Sequence, residues 1–431
     1  MKKWLFIVSL LFSLAGAIYY WAWNLPGGES PVIPRCVTGP TVQATPTLVA
    51  LAEAVGPYVS NRPPLIPKPK KLSLGAGPPF SVSGWAIVAP TTPLAQEGVK
   101  QLRQLVGAQR SGTPTIELRV DSRSLLPAQG YRLDVNSAKI KIQGKDEHGL
   151  FYGVQTLRQL CVEGQIEPVT IEDWPSLATR GLHWTGGSRS GPFHRQLLEK
   201  IAGPLKLNFI LYETQFAQWK SQPKTWDRKA STPLAELRAT VDCAHRLGME
   251  VVPLVQMLTH CRWLFGNGEN EDLALGTMHY AYDPTNPRTR KVVAGVLEEV
   301  LEIFRPRYLH IGHDEPENHD PKSWLADVQF WHGWLARHQV KTMLWGDFLL
   351  GPGEGTPPNN CDTVAEAQEL RKQLPKDICI ADWHYGPESQ FPSLALFLRE
   401  GFQVLGCSSS CDVFFANVFQ LGQECLNQKS G

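Results

Sequence analysis

No basic tract with interleaved aromatics occurs in this 431-residue sequence, and its acids and bases nearly cancel, leaving a net charge of +1. Nucleic-acid binding therefore lacks its electrostatic footprint, and so balanced a surface suits an uncharged ligand. The nine cysteines show no CxxC…CxxC spacing, which removes the usual structural zinc sites. Nine is also an odd number, so at least one thiol stays free or bonds outside the chain. Cys407 and Cys411 stand close enough in sequence to pair. What the chain has instead is apolar content of 42% and 14 tryptophans. That supports a sizeable core. It also supplies indole faces, which pack against pyranose C–H groups as readily as against other side chains.

The N-terminus reads as an export signal. Lys2 and Lys3 precede an uncharged apolar run from Trp4 to Trp23. Ala15-Gly16-Ala17 offers a small-x-small cleavage site. The run is also long enough to cross a bilayer, and Tyr19, Tyr20, Trp21 and Trp23 suit a membrane–water interface. Residues 1–23 are thus a cleaved signal peptide or a retained anchor, with a membrane tether through residues 4–23. Either way the rest of the chain lies outside, extracellular or membrane-anchored. Residues 24–62, rich in proline and glycine, read as a linker.

Residues 63–173 read as a small α/β domain. Gly84–Pro90 and Thr115–Val120 are strand candidates. Tyr131–Val135 and Lys139–Gln143 form a hairpin across Asn136-Ser137-Ala138, and helices are expected over Gln96–Val106 and Gly149–Leu160. Over residues 174–431 the pattern changes to short apolar runs alternating with helical stretches. Strands are expected at Gly181–Thr185, Asn208–Tyr212, Glu250–Leu254, Tyr308–Gly312, Thr342–Trp345, Ile378–Trp383 and Gln403–Cys407. Helices such as Leu234–Leu247 and Arg288–Phe304 separate them. Repeated strand–helix units imply a parallel sheet: a (β/α)8-type TIM barrel, with an open doubly wound sheet as the alternative. No glycine-rich phosphate loop follows the first strand, which argues against the nucleotide-binding form of the latter. Seven strands are legible. The barrel is therefore incomplete at its C-terminus or hides an eighth strand, and Asp412–Cys425 reads as a helix.

Chemistry in such barrels sits at the C-terminal ends of the strands. The polar and aromatic residues falling there are Arg189, Glu213, Gln256, His260, Asp314, Glu315, Trp345, Asp347, Trp383 and Tyr385. Acids, a histidine and tryptophans at one rim describe a carbohydrate pocket better than an anion site. Tyr308-Leu-His-Ile-Gly-His-Asp-Glu-Pro316 is the focus, because an apolar strand running into two acids is costly unless they face a polar cavity. Neighbouring carboxylates raise each other's proton affinity, which suits acid catalysis of glycosidic cleavage. A bare Asp-Glu pair also serves as a helix cap. His310-x-x-His313 invites a metal-dependent hydrolase reading. Strand alternation, however, points the two imidazoles to opposite faces, so no metal is expected.

His310-Ile-Gly-His-Asp-Glu315 resembles the His-x-Gly-x-Asp-Glu signature of glycoside hydrolase family 20, the β-N-acetylhexosaminidases. Ile66-Pro-Lys-Pro69 resembles the opening of that family's non-catalytic α/β domain, and Gly149-Leu-Phe-Tyr-Gly-Val-Gln-Thr-Leu157 its last helix. Val169-Thr-Ile-Glu-Asp173 with Arg180-Gly-Leu182 resembles the lead-in to the barrel. Pro253-Leu-Val-Gln256 with His260 resembles the third strand, most closely in the hexosaminidase D-like subgroup.

The resemblance implies substrate-assisted retaining hydrolysis of terminal N-acetylhexosamine, without a cofactor. Glu315 would be the general acid and base, and Asp314 would orient the acetamido nitrogen. Arg180 would hold sugar hydroxyls, with His260 nearby. Trp345 and Trp383 would wall the pocket, and Asp347 and Tyr385 would make polar contacts. Three departures stand out. His313 replaces a small residue, so crowding is expected before the acids. Glu213-Thr214 stands near the place of an aspartate. The late strand that supplies a tryptophan and an acid is not found. These departures leave a catalytically weak sugar-binding protein as the second reading.

Overall fold

The computed structural model describes residues 65–408, except 111, 113, 278, 317–319, 357 and 385–389. The expected signal, the linker, Tyr385, Cys411 and the helix over 412–425 lie outside the described residues. No helix among the described residues is long and apolar enough to cross a membrane.

The first unit contains β1 (Lys71–Leu74), β2 (Phe80–Ser81), β3 (Ala86–Val88), α1 (Pro93–Val106), β4 (Thr115–Val120), β5 (Tyr131–Asn136), β6 (Lys139–Gly144), α2 (Glu147–Leu160), β7 (Gln165–Ile166) and β8 (Val169–Asp173). Six strands form one sheet in the order β1-β8-β5-β6-β4-β3, while β2 and β7 pair separately. Inward residues alternate along β5 and β6: Tyr131, Leu133 and Val135 face Ile140 and Ile142. Helix α2 lies directly on this apolar face. A Cβ at Gly153 would stand 2.4 Å from Ile142 Cγ2, so only glycine permits the approach. Asp146 caps α2 by accepting from Gly149 N at 2.8 Å. The opposite face of the sheet carries a polar row running across Lys71, Glu172, Arg132 and Gln143.

The second unit contains β9 (Gly181–Thr185), α3 (Ser190–Leu197), β10 (Phe209–Glu213), α4 (Leu234–Arg246), β11 (Glu250–Met257), β12 (Ala274–Leu275), β13 (Ala281–Tyr282), α5 (Pro287–Phe304), β14 (Tyr308–Gly312), α6 (Pro321–Arg337), β15 (Lys341–Trp345), α7 (Val364–Gln373), β16 (Cys379–His384), α8 (Pro392–Arg399) and β17 (Gln403–Ser408). Seven parallel strands form one sheet in the order β9-β10-β11-β14-β15-β16-β17. Spatial order follows chain order without reversal. A doubly wound sheet reverses at its switch point, so the open alternative is excluded and the sheet is that of a TIM barrel. An eighth barrel strand is not present among the described residues.

Both faces of this sheet are covered, which is why its strands read as unbroken apolar runs. Phe209, Leu211, Val252, Leu254, Tyr308, Met343, Trp345 and Ala381 fill the concave interior. Ile210, Tyr212, Val251, Leu309, Ile311, Leu344 and Ile380 pack outward with the helices. Strand bounds fall within a residue or so of the sequence expectation except in β11. That strand runs on to Met257 through a register irregularity after Leu254, and this carries Gln256 up to the rim. The short strands β1 and β8, and the β2–β7 and β12–β13 pairs, are additional to the elements expected from sequence.

The two units meet at a buried polar cluster. Lys206 Nζ lies 2.8 Å from Asp173 Oδ2 and 3.1 Å from Tyr131 Oη, whose hydroxyl is 2.6 Å from Thr156 Oγ1. A buried charge pair is tolerated only when its remaining hydrogen-bonding capacity is met, and here the tyrosine and threonine meet it.

Candidate active site

A cavity of about 230 Å³ opens at the C-terminal ends of the barrel strands. It is lined by His183, Glu213, Gln215, Phe216, Gln256, His260, Arg262, Asp314, Glu315, Trp345 and Trp383. Seven of the residues singled out from sequence therefore converge: Glu213, Gln256, His260, Asp314, Glu315, Trp345 and Trp383. Asp347 lies just behind them, buried. Its Oδ2 accepts from Glu315 N at 2.9 Å and from Asn360 Nδ2 at 2.7 Å, and its Oδ1 accepts from Trp383 Nε1 at 3.2 Å. Asp347 thus fixes an acid and a wall without lining the cavity.

Arg180 is a correction. It sits at the opposite, N-terminal end of β9 and donates to the carbonyls of Leu177, Ala178 and Lys206, to Gln129 Oε1 and to Tyr152 Oη. It joins the two units and does not reach the cavity. Arg189, at the N-terminus of α3, is exposed and outside the cavity lining. Tyr385 lies outside the described residues.

The loop carrying the acids is strained and heavily anchored. Gly312, His313 and Glu315 all adopt positive φ, at 74°, 67° and 47°. Such conformations persist in non-glycine residues only when the surroundings over-determine them. Here Trp324 Nε1 donates to His313 O at 3.1 Å, Thr259 Oγ1 to Asp314 O, Tyr280 Oη to Glu315 O at 3.2 Å, and Glu315 N to Asp347. The crowding expected from His313 does not arise. Its ring turns away from the cavity and is fully buried, with Nδ1 2.9 Å from Ile311 O and Nε2 3.1 Å from Asp327 Oδ2. His310 lies on the other side of the strand, its ring centroid 4.3 Å from that of Trp345. Burial holds His310 well below the usual imidazole range, so it is neutral. The two histidines do not share a ligand, and no metal-binding group of three appears among the described residues.

His260 links the acids. Its Nε2 lies 3.4 Å from Asp314 Oδ2, 3.3 Å from Glu315 Oε2 and 2.9 Å from Tyr280 Oη. Burial alone would lower its pKa. The hydrogen bond to Glu315 and the fields of Asp314, Glu315 and Glu213 outweigh that and raise it. The hydrogen bond from His260 lowers the Glu315 pKa against its partial burial. Asp314 goes the other way. Burial, opposed by His260 and reinforced by Asp347 and Glu315, pushes its carboxyl up to about 7. Its Oδ1 is buried without a partner among the described residues. Across the cavity Glu213 accepts from Thr185 Oγ1 and Gln215 Nε2, each at 2.7 Å.

His183, Gln215, Phe216 and Arg262 line the cavity but were not found by sequence reasoning. Strand parity holds the signal for His183: it shares a face with Gly181 and Thr185, and Thr185 bonds to the rim acid Glu213. The others lie on loops, where periodicity says nothing.

A family model described as glycosyl hydrolase family 20, domain 2, matches residues 62–174, and one described as the catalytic domain of that family matches residues 217–348. Among curated relatives, the chain is 23% identical to a lacto-N-biosidase of Bifidobacterium bifidum over 64% of its own length and 26% of the relative's. It is 24% identical to Beta-hexosaminidase 1 of Coccidioides posadasii, over 60% of its own length and 50% of that protein. The chain thus spans half or less of these relatives. A β-N-acetylhexosaminidase structure from Bacteroides fragilis superposes with a TM-score of 0.64 at 18% identity, covering 80% of this chain and 74% of that one. That likeness concerns the fold, a TIM barrel behind a small α/β domain. The two matched domains, which together take in more than half of the sequence, show that this chain belongs to glycoside hydrolase family 20.

Proposed function

We propose that this protein is a glycoside hydrolase that removes terminal, non-reducing N-acetyl-β-D-hexosamine from glycans, acting from the chain end and with retention. The observation that carries this reading is the adjacent pair Asp314–Glu315 facing one small, tryptophan-walled cavity. Volume supports end-on action: about 230 Å³ is below the usual range for drug-sized ligands and suits a single sugar ring.

In this reading the substrate's acetamido oxygen attacks the anomeric carbon, and the bond to the leaving oxygen breaks. Glu315 gives that oxygen its proton and then takes one from the water that opens the oxazolinium ring. Asp314 accepts a hydrogen bond from the acetamido N–H as positive charge develops, and its unpaired Oδ1 is the acceptor available. The substrate supplies the nucleophile, so Glu213, already tied to Thr185 and Gln215, is left to contact hydroxyls. The water thereby returns Glu315 to its starting form, and His260, its own pKa raised by the same acids, orients the Glu315 carboxyl by hydrogen bond.

One observation favours the second reading, a sugar-binding protein with little turnover: His260 holds Glu315 in its carboxylate form. The test is Glu315→Gln on two substrates. With an unactivated chitobiose leaving group, turnover should fall far more than with a 4-nitrophenyl leaving group, which needs little protonation. Equal losses would contradict the acid role. A wild-type protein that releases no nitrophenol above background yet binds N-acetylglucosamine would favour the binder.

A further inference from the structure

A second cavity lies on the small domain. It measures about 510 Å³ and is lined by Lys71, Asp121, Ser124, Leu125, Leu126, Pro127, Arg132, Gln143, Glu172 and Trp174. Its floor is the polar cross-strand row on the sheet face away from α2. Glu172 pairs with Lys71 and with Arg132, and Arg132 with Gln143, in register on β1, β8, β5 and β6. Its walls are Trp174, just after β8, and the loop before β5, whose tip Leu125 is fully exposed.

Two features define what fits. The cations Lys71 and Arg132 are matched by the anions Asp121 and Glu172, and salt bridges of 3.0 Å join Glu172 to both cations. So balanced a lining offers no net field to a phosphate or a sulfate. An indole, an amide and a hydroxyl around a cleft of this volume instead match an uncharged, hydroxyl-rich ring with one apolar face. The Lys71 ammonium stands 5.6 Å from the Trp174 ring centroid, and its side chain is 66% exposed. A ring stacking there displaces this exposed ammonium from the indole face, at no more than the small cost of an exposed salt bridge to Glu172.

We infer that this cleft is an accessory binding site for neutral oligosaccharide, separate from the catalytic pocket, with Trp174 as its stacking platform and Gln143 as its polar floor. Its existence does not depend on turnover at Asp314–Glu315.

The test is calorimetric titration with N-acetylchitohexaose of the full chain carrying Glu315→Gln, which slows consumption of the titrant, alone and with Trp174→Ala, Gln143→Ala or Trp383→Ala added; the two cleft substitutions in the otherwise wild-type chain serve for the hydrolysis assay. Trp174→Ala should weaken one binding component tenfold or more and Gln143→Ala about threefold. Trp383→Ala should leave that component in place. Hydrolysis of a nitrophenyl N-acetylglucosaminide should be unchanged in both cleft variants. Hexaose affinity untouched by both cleft substitutions overturns the site. If Trp174→Ala unfolds the domain, Gln143→Ala decides alone. Cleft-dependent binding without any hydrolysis would sink the proposed activity and leave this site standing.

Discussion

Asp314→Asn should stabilise the protein at neutral pH and do nothing at pH 4. The Asp314 carboxyl is pushed from its ordinary 3.8 up to about 7, first by burial. Between those two values the folded state holds a proton that the unfolded chain has released. Stability therefore falls as pH rises through this window, and the loss is complete above about 7. Roughly three pKa units at 1.36 kcal/mol each give about 4 kcal/mol of destabilisation carried by the ionised wild type at pH 8. Asparagine keeps the shape and cannot ionise, so it removes that penalty. It should do so at the expense of activity on acetamido substrates. Urea unfolding at pH 4, 6 and 8 measures the effect. The variant's advantage should be near zero at pH 4 and grow toward pH 8. A constant difference across the series, or a loss at pH 8, would refute the assignment of burial as the dominant cause.

Replacing His260 by phenylalanine removes the hydrogen bond that lowers the Glu315 pKa. Glu315 should then stay protonated to higher pH, moving the basic limb of the kcat/KM profile upward; an unmoved limb would sever the link. Arg180→Ala should lower thermal stability by about 1–3 kcal/mol and leave KM unchanged, because Arg180 binds backbone carbonyls at the junction of the two units. A raised KM with unchanged stability would restore the sugar-clamp role. Gly312→Ala would place a Cβ 2.3 Å from Gln256 Oε1 at a φ of 74°. A loss of at least about 1–2 kcal/mol is expected, together with lower kcat from the displaced acids, read by melting and steady-state kinetics.

The barrel was legible because its strands are buried on both faces and separated by long amphipathic helices. The rim positions of Glu213, Asp314, Glu315, Trp345 and Trp383 followed from where those apolar runs end. The errors have physical causes. Arg180 immediately precedes the strand Gly181–Thr185, so the strand bounds already place it at the N-terminal end of the barrel, opposite the rim. Resemblance alone put it in the pocket. His313 was expected to crowd the loop because sequence shows its bulk but not Asp327, a helix away, which draws the ring aside. His183 was hidden in plain alternation. The long extension of β11 could not be read past Leu254, because the register irregularity there breaks the pattern.

The acid-bearing turn after β14 is fastened by side chains borrowed from far along the chain: Thr259, Tyr280, Trp324 and Asp347. None of them belongs to the strand that delivers the acids. The reaction centre consequently comes into being only once the three successive strand–helix repeats that begin at β11, β14 and β15 have docked on one another. A polypeptide halted midway through synthesis would own both carboxylates yet display them in no useful attitude, so any measurable turnover would double as a report on the completed assembly of the barrel's central repeats.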